Sequence, residues 1–299
     1  MKHRTGWNRT SNHARHGITL VEVLITIVLI VVALAIFALV ALSRTKAHVL
    51  KQYDAAQLRG ISVSMQVWAN SNNDLYPLPS LIDINNDTVP ELGTAKDTTA
   101  NIFSLMLWNE MFTPDLLVSP AEPSEKIQVR NDYQYEKPPS AVNPDKAMWD
   151  PSFNIDFTTG TGHLSYAHAI PVDPTGAAAS VWKNSFNATE PVISTRGPEI
   201  LSENVTPSGL ATLILANQKS NTIAYWKPRN TWSGNVAYND GHAQFEQSMM
   251  MDNTQVPTLP IQRDWLFWDE PHDATQSNAF LSLFTTAGPT RSAFKAIWD

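Results

Sequence analysis

Three sets of residues in this chain have types and spacing suited to chemistry. Asp83, Asn85 and Asp87 in "DINNDTVPELGT" stand at the first, third and fifth positions of a loop able to wrap calcium in hard oxygen ligands. The sixth position is Thr88 rather than glycine and the twelfth is Thr94 rather than a bidentate glutamate, which favours an Asx-rich structural loop. Asp240-Gly241-His242 sets a carboxylate and an imidazole two residues apart, the makings of a cation or assembly site, and Asp240 is the other calcium candidate. The same Asp-Gly pair is explained as well by a plain turn, because glycine supplies positive φ and aspartate tolerates it. The third is Glu22, a lone carboxylate in the apolar run "GITLVEVLITIVLIVVALAIFALVAL". An ionisable group there costs a few kcal/mol even on lenient insertion scales, so it implies a function. His163 and His168, five residues apart, share neither a helix face nor a strand face. The chain contains no HExxH, GxSxG, P-loop or dinucleotide fingerprint. It has no cysteine, which excludes disulfides and thiolate metal sites. No catalysis is expected, and no cofactor beyond the two calcium candidates.

The element that positions Glu22 is a membrane span. Ile18 to Leu42 is 25 residues, about 37 Å as a helix, against a hydrocarbon core of about 30 Å. The preceding 17 residues carry Lys2, Arg4, Arg9 and Arg15 and no acid, which places them in the cytoplasm by the positive-inside rule. The net charge of −7 becomes −11 without this leader, with 17 basic against 28 acidic residues. So acidic a body argues against nucleic acid as a partner. A cleavable secretory signal, cut near Ala38 or Ala41, is the competing account. Its apolar core should be about 7–15 residues, and it gives Glu22 no role.

Beyond the span, "SRTKAHVLKQYDAAQLRGISVSMQVWANSNND" keeps Val49, Tyr53, Ala56, Val63 and Val67 near one helical stripe, with Leu50, Ile61, Met65 and Trp68 beside it. No proline interrupts Ile18 to Tyr76. Gly60 weakens the helix by about 1 kcal/mol without ending it. The Asn/Ser/Asp cluster at 70–74 and Pro77 then stop it, giving one helix of about 53 residues. The stripe is expected to face the soluble domain. The division is a basic leader at 1–17, a transmembrane and assembly helix at 18–42, an amphipathic continuation at 43–76 and a globular domain at 77–299.

In that domain a short helix is expected from Asn101 to Met111. Residues 131–191 are rich in Pro, Asn, Asp and Gly, with brief extended pieces such as "HLSYAHAI". "NTIAYWKP" and "GNVAYNDGHAQFEQ" read as strands, the second as a hairpin with a two-residue type I′ turn at Asp240-Gly241. Ala211–Asn217 reads as a strand or a short buried helix. The ten tryptophans are scattered, which favours packing over a sugar-stacking platform.

"GITLVEVLITIVLIVV" resembles the class III signal of type IV pilins and type II secretion pseudopilins. The resemblance implies that a prepilin peptidase cuts after Gly17, that Ile18 becomes the methylated N-terminus where the family most often has phenylalanine, and that Glu22 serves assembly. A second resemblance is to bacterial pilin-like proteins whose C-terminal motif is histidine, nine residues, then Asp-Gly. Asp240, Gly241 and His242 match it, while Asn230 stands at the histidine position. Together they imply an α+β fold: a long N-terminal helix packed on an antiparallel sheet, with a loop-rich insertion and a C-terminal extension. The implied role is a structural subunit, not an enzyme. Its partners would be other pilin or pseudopilin subunits, the prepilin peptidase, the inner-membrane assembly platform and membrane lipid. It would lie in the bacterial inner membrane with a cytoplasmic N-terminus and periplasmic body, then join a periplasmic pseudopilus or extracellular pilus. The alternative is a membrane-anchored enzyme or carbohydrate-binding protein of the bacterial envelope, which needs a cleft of convergent titratable groups or an exposed aromatic row.

Overall fold

The computed structural model describes residues 19–172, 182–205, 211–223, 225–226, 231–251, 264–269 and 279–299. The long helix is there: α1 spans Leu20–Asn70 without a break. Its segment before Val49 belongs to a different structural unit from Val49–Asp299. In the first, side chains such as Leu24, Val28, Leu34 and Phe37 are exposed. α1 is long and apolar enough there to cross a membrane.

α1 ends where the polar cluster begins. Asn73 and Asp74 adopt positive φ, and the Asp74 N–H closes the last turn on the Ala69 carbonyl. The helix thus stops at the polar cluster, where a helix of about 53 residues from Ile18 ends, so the last residues of the 43–76 segment lie beyond it and Leu75 bridges to Lys183.

In the second unit a six-stranded, wholly antiparallel sheet is built from β1 (Tyr166–Ala169), β2 (Pro191–Thr195), β5 (Gly234–Tyr238), β6 (Ala243–Glu246), β9 (Leu281–Thr286) and β10 (Lys295–Ile297). Its order is β10-β9-β1-β2-β5-β6. Two-stranded pairs, β3 (Ile200–Val205) with β4 (Ala211–Leu215) and β7 (Met250–Met251) with β8 (Asp264–Trp265), complete the strands among the described residues. Ala211–Leu215 is therefore a strand. β2 and β5 are buried along their whole length, as strands covered on both faces must be. Leu58, Ile61, Met65 and Ala69 of α1 share one core with Ile193, Ala237 and Leu283 of the sheet. A second core gathers Val236 and Tyr238 with Trp232, Trp265 and Phe267. α2 is one turn (Pro79–Ile82), and α3 (Thr99–Trp108) starts and stops slightly earlier than expected.

Three expectations are corrected. The stripe Val49, Tyr53, Ala56, Val63 and Val67 is exposed, and α1 buries another face, carrying Asp54, Gln57, Leu58, Ile61, Ser62, Met65 and Ala69. That face looked less apolar because three of its members are polar, and each is satisfied by the domain. Residues 221–223 and 225–226 of "NTIAYWKP" form turns rather than a strand. The Thr222 N–H donates to Ser220 Oγ at 3.2 Å, and the Tyr225 hydroxyl donates to Glu122 at 2.8 Å, so isolated anchors produced the strand-like alternation. Finally, the C-terminal segment is no appendage, since β9 and β10 complete the main sheet.

Asp54 is the polar centre of the buried helix face. Its carboxylate accepts from Ser119 (2.5 Å), Tyr166 (3.0 Å), Asn235 (2.6 Å) and Thr195 (3.3 Å), tying α1 to a loop and to β1, β5 and β2. Burial pushes this carboxyl up, and the four donors act against it. In Asp54→Ala the hydroxyls can turn to other acceptors, but the Asn235 amide loses a charged one. A destabilisation of about 2–3 kcal/mol is expected in urea denaturation of the detergent-solubilised protein. A change below half a kcal/mol would mean the network contributes nothing net.

Candidate functional site

The helix that carries Glu22 is also capped by it. Glu22 Oε2 accepts from the Thr19 N–H (2.8 Å) and the Thr19 hydroxyl (3.0 Å), while the Glu22 N–H donates back to Thr19 Oγ1 (3.2 Å). This is a reciprocal capping box, legible in the sequence as Thr-x-x-Glu just ahead of an apolar run. The carboxylate therefore has a local role, satisfying a first-turn donor that lipid would leave without water. Gly17 and Ile18 lie outside the described residues.

The Asp240-Gly241 turn joins β5 to β6, but with a different geometry from the two-residue turn expected. The Tyr238 N–H donates to the His242 carbonyl and the Gly241 N–H to the Tyr238 carbonyl, each at 2.9 Å, so Asn239, Asp240 and Gly241 form a three-residue loop. Gly241 alone there has positive φ, +85°, the left-handed residue of that loop class. Asp240 Oδ1 lies 2.5 Å from His242 Nδ1 and accepts the His242 N–H at 3.0 Å. Partial burial opposes ionisation of Asp240, but these contacts hold its carboxyl below the usual range. The His242 ring stacks on Tyr238 with centroids 4.4 Å apart. Asn230 lies outside the described residues. Asp240, Gly241 and His242 line a cleft of about 520 Å³ whose other wall is α1, with Gln52, Arg59 and Gln66.

The Asp83 loop does not present a calcium site. The Lys96 ammonium neutralises the Asp83 carboxylate at 2.9 Å, with both side chains essentially inaccessible, and donates as well to the Asp83 carbonyl. The same carboxylate accepts from the N–H groups of Asp87 (2.8 Å), Thr88 (3.3 Å) and Val89 (3.4 Å). Asn85 is exposed, and Asp87 is engaged by Asn143 at 3.2 Å. A lysine thirteen residues downstream thus supplies the cation, a pairing that the local loop spacing does not reveal. Among the described residues no group of three His, Cys, Asp or Glu side chains is placed to hold a metal.

The two histidines part company. His163 Nδ1 lies 2.9 Å from the Gln128 carbonyl, whereas His168 is fully buried on β1. The Phe284 N–H donates to Thr99 Oγ1, whose hydroxyl donates to His168 Nε2, each at 2.7 Å, and His168 Nδ1–H donates to the Ala169 carbonyl at 2.8 Å. That closed chain assigns the neutral tautomer. Another buried cluster escaped the sequence reading. Arg196 grips Glu122 with two nitrogens at 2.6 and 3.2 Å and Asp299 at 3.1 Å, joining the end of β2 to a loop and to the C-terminal segment. Its carboxylates neutralise it within the fold, a structural arrangement rather than a ligand site.

No protein-family model, curated protein or solved structure matches the chain.

Proposed function

We propose that the chain is a structural subunit of a type IV pilus or type II secretion pseudopilus. A prepilin peptidase would process it after Gly17, and it would assemble through its N-terminal helix. The observation that carries this reading is Glu22, a carboxylate in the first turn of a helix that is apolar enough to cross a membrane and runs unbroken to Asn70, with Leu58, Ile61, Met65 and Ala69 in the body's core. In this reading the leader is cytoplasmic, the body is periplasmic before assembly, and the partners are related subunits and the inner-membrane platform. After cleavage the Ile18 α-amine is a cation one turn from Glu22. When subunits stack, Glu22 becomes buried among apolar helices, where an unpaired carboxylate is costly. A neighbour's amine neutralises it only at the correct axial stagger, which makes the pair a register device.

The capping box supplies the control this idea needs. Glutamine also serves at the third position of a capping box, so Glu22→Gln keeps the cap and removes the charge. Glu22→Ala and Glu22→Gln should both insert and lose the leader, and both should fail to assemble in sheared-filament and cross-linking assays. Wild-type assembly by Glu22→Gln would show that the cap, not the charge, is what the helix requires.

A further inference from the structure

We propose that the free edge of β6, with the cleft beside it, takes an extended, carboxylate-bearing segment of another protein chain by strand addition. β6 ends the six-stranded sheet. The bonded Tyr238–His242 pair fixes the ladder phase, so Val236↔Gln244 and Gly234↔Glu246 are the next bonded pairs. The amide and carbonyl groups of Ala243 and Phe245 therefore point away from β5, and among the described residues they have no other partner. Exposed edges are usually blunted by lysine, proline or a bulge. The opposite edge, β10, has an exposed Lys295 and a register break between Lys295 and Ala296. β6 has none of these, and its one acid, Glu246, accepts the Tyr238 hydroxyl at 2.8 Å. Among the described residues, one edge is guarded and the other is open.

The cleft states what the added segment should carry. Gln52, Arg59 and Gln66 recur every seven residues along one side of α1, with Ala55, Ala56 and Val63 between them. Arg59 is exposed and has no hydrogen-bond or ion-pair partner among the described residues. Among the described residues the one carboxylate lining the cleft, Asp240, is engaged by His242. A cation without a counter-charge beside unpaired backbone groups matches an extended segment with aspartate or glutamate on the face that meets the helix. Main-chain bonds to Ala243 and Phe245 would give affinity, and Arg59 would select the charge. This surface goes beyond the filament reading and does not depend on it.

The test uses the full chain in detergent micelles and a fluorescein-labelled heptapeptide of alternating valine and glutamate, followed by anisotropy. Three comparisons accompany it: the peptide with glutamine for glutamate, the peptide N-methylated at alternate residues, and the Arg59→Gln protein, whose exposed substitution leaves the core untouched. The expected result is saturable binding that weakens about tenfold with the glutamine peptide or with Arg59→Gln, and vanishes on N-methylation. No saturable binding of the glutamate peptide would overturn the proposal. Equal binding by Arg59→Gln, or binding that survives N-methylation, would overturn it too.

Discussion

Asp83→Ala is expected to cost the folded body about 3–5 kcal/mol, the penalty of stranding a buried charge. Lys96 is 1% exposed and, among the described residues, its one carboxylate contact is with Asp83, so alanine would leave the ammonium with the residue 83 carbonyl but no counter-charge. Lys96→Met should be milder, because Asp83 keeps the Asp87, Thr88 and Val89 amides and because methionine fills a similar volume. Urea denaturation followed by circular dichroism measures both. If Lys96→Met proved as damaging as Asp83→Ala, the amides would not be sustaining the carboxylate and this account of the loop would fail.

The second large effect is a loss of stability in mild acid. Burial pushes the His168 imidazole down to about 4 against the opposing influence of the Ala169 carbonyl, whereas the unfolded chain titrates near 6.5. Between those values the unfolded state binds a proton that the folded state refuses. Stability is therefore lost as pH falls from about 6.5 to about 4, by about 3 kcal/mol for this residue. His163 is shifted down too, chiefly by burial, and adds in the same direction. Asp54, shifted up, contributes oppositely over its own titration. The informative quantity is thus the difference between wild type and His168→Gln, measured as unfolding free energy from pH 7 to 4. The variant should start less stable and decline less steeply. Parallel curves would show that the folded protein protonates His168 as readily as the unfolded chain does, which would contradict the downward shift.

The long helix was legible because its determinants are local. An unbroken apolar run, a proline-free continuation and an Asx cluster at its end are all adjacent in sequence. The β5–β6 hairpin was legible for the same reason, although loop length was misjudged because Asn239 also belongs to the turn. What misled was polarity satisfied at a distance. Asp54 meets donors 65 to 181 residues away, so the face it occupies looked like the solvent face and the Val49–Val67 stripe looked like the core. In the Asp83 loop the missing glycine and glutamate already favour a structural loop, and what local spacing does not show is that Lys96, thirteen residues on, supplies the cation. The capping box, by contrast, is readable at Thr19 and Glu22, since Thr-x-x-Glu ahead of an apolar run is a local signal.

The proposed function depends most directly on where the mature chain begins. Intact-mass measurement of the protein extracted from the membranes of cells that make it, with N-terminal fragment analysis, reads that position. A pilin-like subunit should begin at Ile18, one methyl group heavier than the bare peptide and lacking the 17-residue basic leader. A chain beginning near Leu42 or Ser43, or still carrying Met1 throughout, would contradict processing after Gly17 and the filament role built on it.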